Sequence, residues 1–233
     1  MSDHSQFVEN LMVQGRKVVE VLKADTEIGK YIDPSLPVPK PFVGTGDIRL
    51  VILGQDPTVD EMSTRQAITT VLMLDKKGSN LHQFITDICT SLHISLDKNA
   101  YATNVCKNFF TEPPKNVAAT DLIGLSWPKW RPLLVEELAR FPKAAILTLG
   151  KPILRVLVRD SAVKDLKHYW GHVGDKAMAR HGEYRLVEVQ HSRLGRPFFP
   201  FPHITNIRAT ELYRTHRDNY LSFVRKEIVG GMA

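Results

Sequence analysis

The amino-acid sequence predicts an α/β protein, a three-layer α/β/α sandwich with a central, mostly parallel four-stranded sheet, and three observations carry that expectation. A strand-like run, Arg49-Leu-Val-Ile-Leu53, halts at Gly54 and passes into the polar corner Gln55-Asp56-Pro57. Further strand-like segments follow at 99–105 and 144–149, and residues with helical spacing separate them, the alternation that builds parallel sheets with helices on both faces. The chain has 233 residues, of which 43% are hydrophobic. That is enough to bury the core of one such domain, with 1–47 as an N-terminal helix and proline-rich arm and 48–228 as the core.

In chain order, residues 5–23 place Phe7, Leu11, Val18, Val19 and Leu22 at amphipathic-helix spacing, with Ser5 or Asp3 as the capping signal. Pro34, Pro37, Pro39 and Pro41 exclude regular helix from the next span, which reads as an ordered arm over the domain edge. Past the Gly54 corner, the polar residues 58–66 and the apolar residues 68–74 read as a loop over a pocket. Lys76-Lys77-Gly78-Ser79 then turns into a helix with Leu81, Phe84, Ile85, Ile88 and Leu92 on one side. Pro113-Pro114 breaks the chain after the second strand. A helix over 127–138 holds Pro128 in its first turn, and Pro152 opens another after the strand 144–149. Residues 184–189 alternate as a half-buried strand does, 192–196 form a turn, 198–202 lead to His203, and an amphipathic helix over 210–228 closes the chain.

Charge and cysteine usage narrow the function classes. The excess of 31 Lys and Arg over 25 Asp and Glu, a net charge of +6, favours a polyanionic partner without requiring one. Cys89 and Cys106 sit in apolar patterns, which argues against a disulfide framework or a zinc knuckle and for a reducing compartment. The segment Met1-Ser-Asp-His-Ser-Gln6 has no basic region followed by an apolar one, and nowhere do about 18 apolar residues run together. A soluble, monomeric, cytoplasmic protein is the expectation, with no membrane partner.

Parallel strands end on a common rim, where open α/β sheets bind ligands. The ends after Leu53, Thr103 and Pro202 place Asp56, Asn104 and His203 on that rim. Each has a plainer reading: Asp56 as a helix cap, Asn104 as a turn residue, His203 as a structural histidine bonded to backbone. Their coincidence at separate strand ends favours a site. His191 rivals His203, because it too follows a strand-like segment. Asp60 and Glu61 read as a solvated acidic loop, since no histidine or cysteine stands at ligand spacing with them. Trp127, Trp130 and Trp170 suit either base stacking or, more commonly, core packing.

The motifs Gly54-Gln55-Asp56-Pro57, Tyr101-Ala-Thr-Asn104-Val-Cys-Lys107 and Pro202-His203-Ile204-Thr205 resemble, in kind and in chain order, the uracil-DNA glycosylase superfamily over residues 48–224. That resemblance implies an enzyme of base-excision repair that hydrolyses the N-glycosidic bond of a flipped uracil or related deaminated base in DNA, with no metal and no organic cofactor. It makes Asp56 the carboxylate that orients water and supports positive charge on the sugar, and His203 the donor to the departing base. It makes Asn104 the reader of the base edge, with Gly54, Gln55, Pro57 and Thr58 lining the substrate site. Its DNA contacts fall on Lys107, Arg193, Arg196, Thr205 and Arg208, with Arg214 a further candidate and with Ile204 and Ile207 as wedges between base steps.

The chain also departs from the family pattern. Thr58-Val59 stands where the best-known branch has Tyr-His, whose tyrosine blocks the methyl group of thymine, and His203-Ile-Thr205 replaces His-Pro-Ser. An aromatic residue to stack on the flipped base is not evident, Phe109 and Phe110 being candidates that equally suit the core. The alternative to a glycosylase is therefore a catalytically inactive module that binds a nucleic acid or a protein. An α/β hydrolase is disfavoured because no Gly-x-Ser-x-Gly elbow occurs.

Overall fold

Leu50-Val-Ile-Leu-Gly54 is buried at every position, as a central strand covered on both faces must be. In the computed structural model, which describes residues 3–230 apart from 118, 161, 174–179 and 182, this segment is one of five strands in the main sheet. They are β1 (Phe42–Val43), β2 (Leu50–Gly54), β3 (Ala100–Asn104), β4 (Ala145–Leu149) and β5 (Phe199–Phe201), in the spatial order β1-β3-β2-β4-β5. The last four are mutually parallel, and β1 runs antiparallel to β3 at the edge. The four-stranded expectation thus gains a fifth strand, contributed by the proline-rich arm. Two shorter antiparallel pairs lie outside this sheet, Ile32–Asp33 with Phe109–Phe110 and His172–Val173 with Arg180–His181.

Helices cover both faces. On one, α1 (Asp3–Ala24) packs against α3 (Leu122–Ala139), and Phe7, Tyr101 and Phe141 meet there with ring centroids 4.7–6.5 Å apart. On the other, α2 (Asn80–Ser91) packs against α6 (Glu211–Gly230), and Phe84, Phe201, Trp170 and Tyr220 build an aromatic layer. Each fully buried Leu, Ile or Val in these layers contributes about 1.5–3 kcal/mol of transfer free energy. The tryptophans serve this core. Trp130 donates its Nε1–H to Asn108 Oδ1 at 2.8 Å and Trp170 donates to the Pro200 carbonyl at 2.9 Å, and both rings are fully buried, so neither is available to stack a base. Phe109 and Phe110 are likewise core, 1% and 0% exposed.

Several elements differ from the expectation. α3 starts at Leu122, where Asp121 caps it by accepting from Gly124 N–H at 2.9 Å, so Pro128 and Pro132 both lie inside the helix rather than in its first turn. An interior proline costs about 3 kcal/mol, which burial of Leu122, Ile123, Trp127, Trp130, Leu133 and Leu134 offsets. Residues 184–189 are not a strand: their pairing reduces to one bridge, Val187 with Phe198. α1 begins at Asp3, which makes Asp3 and Ser5 helical rather than capping residues, and the position before it lies outside the described residues. The loop after Gly54 holds a short helix, Met62–Gln66, and a turn of 3-10 helix, Val71–Met73.

Candidate active site on the sheet rim

The register pairs Gly54 with Asn104 and Leu149 with Phe201, so β2, β3, β4 and β5 end together. Asn104 closes β3, Asp56 follows β2 by two residues, and His203 follows β5 by two. With adjacent strands about 4.8 Å apart, the stretch of rim from β3 to β5 covers roughly 15 Å. Pairing continues past the strands, with Val105 N–H donating to the Gly54 carbonyl and Cys106 N–H to the Gln55 carbonyl, both at 2.9 Å. That zipper holds the Asp56 corner against the Asn104 corner.

Two glycines shape the middle of the rim. A Cβ at Gly54 would lie 2.3 Å from Asn104 Oδ1 and 3.0 Å from Leu72 Cδ2, so only glycine lets the carboxamide lie flat on β2. Gly150, between the β2 and β5 ends, has φ +104°, a backbone that side chains rarely adopt, and a Cβ there would stand 3.8 Å from that of His203. Its N–H donates to the Phe201 carbonyl at 2.7 Å, which ties the β4 corner to the β5 end.

Asn104 is 1% exposed, and its Oδ1 has no hydrogen-bond partner among the described residues. A buried amide oxygen left unsatisfied costs about 1–3 kcal/mol, and a ligand that donates to it recovers that cost. Leu72 leans on the same spot. Leu72 and Met73 hold left-handed backbone, φ 56° and 52°, which is uncommon for residues with a side chain. Such conformations cost about 1–3 kcal/mol each and concentrate where a site needs a particular wall.

Asp56 is half-buried and receives hydrogen bonds from Thr58 N–H and from Gln55 Nε2, both at 2.8 Å. Burial pushes its carboxyl up from 3.8 to about 6, against the hydrogen bonds from Thr58 and Gln55 and the charge of Arg65, which pull it down. It therefore carries its charge at neutral pH in a partly dry setting. Both plain and functional roles meet here: Asp56 accepts from the backbone as a turn residue does, yet the short helix that follows starts only at Met62.

His203 is half-buried at the start of α5 (Ile204–Ala209). Its Nδ1 accepts from Thr205 N–H at 3.5 Å and lies 3.1 Å from Thr205 Oγ1. Burial holds its pKa below the usual value, so the ring is neutral at pH 7 with its proton on Nε2. His191, the rival, lies at the other end of the sheet: its carbonyl accepts from Arg159 N–H, just past the carboxyl end of α4 (Lys151–Leu157), which runs away from the rim.

The DNA contacts expected from the sequence divide. Ile204 and Ile207 are half-buried on α5, while Thr205 and Arg208 are exposed beside His203. Lys107 is not a phosphate contact: it is 2% exposed and paired with Glu137. Arg196 donates to the carbonyls of Leu138, Phe141 and Ala144, where α3 leads into β4, at the amino end of the sheet. Arg193 joins Asp160 at 3.3 Å near the same end. Both precede β5, whereas His203 follows it.

Three contributors escaped the sequence reading. Leu72 is one. Arg65, 4% exposed, donates to the carbonyls of Val59, Asp60, Phe110 and Thr111 and so clamps the loop beyond Asp56 to the segment beyond Asn104. Lys151 stands beside Gly150 on the rim, half-exposed. The signal for Lys151 was available in the Leu149-Gly150-Lys151-Pro152 corner, whereas Arg65 offered none, since its acceptors are main-chain atoms, two of them some 45 residues away at Phe110 and Thr111. Thr58 lines the corner through its backbone, and its Oγ1 accepts from Phe110 N–H at 2.9 Å. Cavities of about 550 and about 820 Å³ open elsewhere, beside His191 and between α1 and β1, and border none of the rim residues. Among the described residues, no cluster of three or more His, Cys, Asp and Glu is placed to hold a metal, and no helix is long and apolar enough to cross a membrane.

No curated protein gave a significant match to the chain. The family model described as the uracil DNA glycosylase superfamily matches residues 41–223, which takes in β1 to β5, the three rim corners and most of α6. With that span matched, the chain belongs to the uracil DNA glycosylase superfamily, glycosylase-like hydrolases that act on DNA.

Proposed function

We propose that this chain hydrolyses the N-glycosidic bond of a flipped uracil or a related deaminated base in DNA. The single observation that carries the reading is that Asp56, Asn104 and His203 all stand at the carboxyl ends of β2, β3 and β5, with the Asn104 carboxamide laid over Gly54. As the bond from C1′ to the base nitrogen breaks, its electron pair leaves with the base and the sugar becomes electron-poor. A fixed carboxylate in a partly dry cleft favours that state over the ground state, which suits Asp56. Water adds to C1′ and gives a proton to the Asp56 carboxylate, and that proton ends, by way of solvent, on the departed base. The base departs as an anion, and neutral His203 donates a hydrogen bond from Nε2–H to the carbonyl oxygen where that charge gathers. Asn104 offers an acceptor and a donor to a pyrimidine edge, and cytosine would leave them mispaired in a buried setting. Unstacking the base costs a few kcal/mol, which Ile204 and Ile207 offset by wedging, and Arg208, Thr205 and Lys151 by holding phosphates.

The test is a panel of oligonucleotides bearing uracil, thymine mismatch, hypoxanthine or xanthine, scored for abasic sites after alkali. Uracil cleavage by the parent chain is the expected outcome, and cleavage of none of the four sinks the proposal. A second reading, an inactive glycosylase-like binding module, draws on the burial of Phe109 and Phe110 in the core and on the aliphatic Leu72 against Gly54. Tight binding of the uracil oligonucleotide without abasic product would favour it.

A further inference from the structure

Beneath the rim lies a closed polar cluster. Lys107 and Glu137 form an ion pair of 2.6 Å with side chains 2% and 0% exposed. The Lys107 ammonium donates hydrogen bonds to Thr103 Oγ1 at 2.5 Å and to the main-chain carbonyl of Asn104 at 3.0 Å, and faces Glu137 Oε2 as an ion pair. The other Glu137 oxygen accepts from Tyr101 OH at 2.6 Å and from Thr103 Oγ1 at 3.0 Å. Buried pairs of this kind seldom stabilise a fold more than hydrocarbon of the same shape would. Stability is thus a poor reason for this one, and one of its bonds ends on Asn104, whose side chain lies over Gly54 at the rim.

We propose that Lys107 and Glu137 are positioning residues for base selection: the buried pair fixes the Asn104 carbonyl, and with it the angle at which the Asn104 carboxamide leaves β3 and lies on Gly54. This rests on Asn104 reading the base. The Asn104 Oδ1 has no partner among the described residues, so the main chain and the contact with Gly54 set its direction. Loosening the carbonyl anchor frees the carboxamide to turn and to accept edges that the parent rejects. Tyr101 and Thr103, on the α3 face of β3, complete the anchor from below.

The experiment uses the full chain and two variants. Lys107→Met with Glu137→Leu removes both charges together and leaves neither stranded, while Thr103→Val keeps the pair but takes away its shared hydroxyl. Single-turnover excision of uracil, cytosine and hypoxanthine is measured per folded molecule, and the side-chain amide signals of Asn104 are followed by nitrogen-15 NMR. The double variant is expected to lose at least tenfold in uracil excision and at least tenfold in preference for uracil over the other two bases, with broadened Asn104 amide signals. Thr103→Val should lose about threefold in preference. A purely structural pair would lower the folded fraction and leave preference per folded molecule unchanged, and that result overturns the proposal. Should the double variant fail to fold, Thr103→Val decides by the same ratio. Should the parent excise no base, the functional reading fails instead, and unchanged Asn104 signals in the variants would separately overturn the anchor.

Discussion

Replacing Asp56 with asparagine is expected to have two opposite effects, slowing the reaction and stabilising the fold. Burial raises the Asp56 carboxyl from 3.8 to about 6, a change worth about 3 kcal/mol. Partial exposure of the group trims this to about 2 kcal/mol. Because the folded-state value lies above the unfolded one, the folded protein binds more protons between about pH 4 and about pH 6, and the cost of ionising Asp56 is absent below that window and complete above it. Urea unfolding of parent and variant at pH 4, 5, 6 and 7.5 isolates the effect, since every other titrating group cancels in the difference. The variant should be more stable by about 2 kcal/mol at pH 7.5 and indistinguishable at pH 4. Its single-turnover uracil excision should fall by about a hundredfold or more, as removal of a preorganised charge from a reacting centre does, while DNA binding is kept. The parent's own rate should fall on acidification with a midpoint near 6. A variant no more stable than the parent at pH 7.5, or a rate equal to the parent's, would refute the assignment of a costly, charged Asp56 to the reaction.

His203→Ala should slow excision by about a hundredfold, whereas His191→Ala, at the far end of the sheet, should leave the single-turnover rate within about twofold; the reverse pattern would transfer the role to His191. Gly54→Ala forces a Cβ to within 2.3 Å of Asn104 Oδ1. It should cut uracil excision at least tenfold and cost about 1–3 kcal/mol in stability, read by denaturant melts. Arg208→Ala should lower the slope of log binding constant against log salt by about 1, since one phosphate contact is lost. Arg193→Ala should leave that slope unchanged, and equal slopes for parent and Arg208→Ala would take α5 off the DNA surface.

Why some of this was legible in the sequence and some was not follows from how local each signal is. β2 was readable because an unbroken apolar run ending in glycine has few structural outcomes, and its burial at every position agrees. β1 was not, since Phe42 and Val43 follow a crowd of prolines and become a strand only by pairing with Ala102 and Tyr101 across the sheet. The alternation over 184–189 does not carry into burial, since Val187 is buried while Val189, two residues on, is exposed, and a period of two says nothing about a ladder partner. Pro128 pointed to a helix start that burial of Trp127 and Trp130 overrode.

The rim residues were readable for a topological reason: parallel strands end on one side, so Asp56, Asn104 and His203 needed no long-range detail to be brought to it. Lys107 misled because its partner, Glu137, lies on α3, and nothing in the spacing around Asn104 announces a carboxylate from a distant helix. Arg193 and Arg196 misled for a different reason, one that the sequence itself resolves. A parallel strand has a near end and a far end, and residues just before it cannot share the rim with residues just after it. β5 is Phe199–Phe201, with the two arginines on its amino side and His203 on its carboxyl side. Once 198–202 is read as a strand parallel to β4, His203 at the cleft and Arg193 and Arg196 on DNA held there become mutually exclusive. The arginines give way because Arg196 already has its acceptors in the carbonyls of Leu138, Phe141 and Ala144.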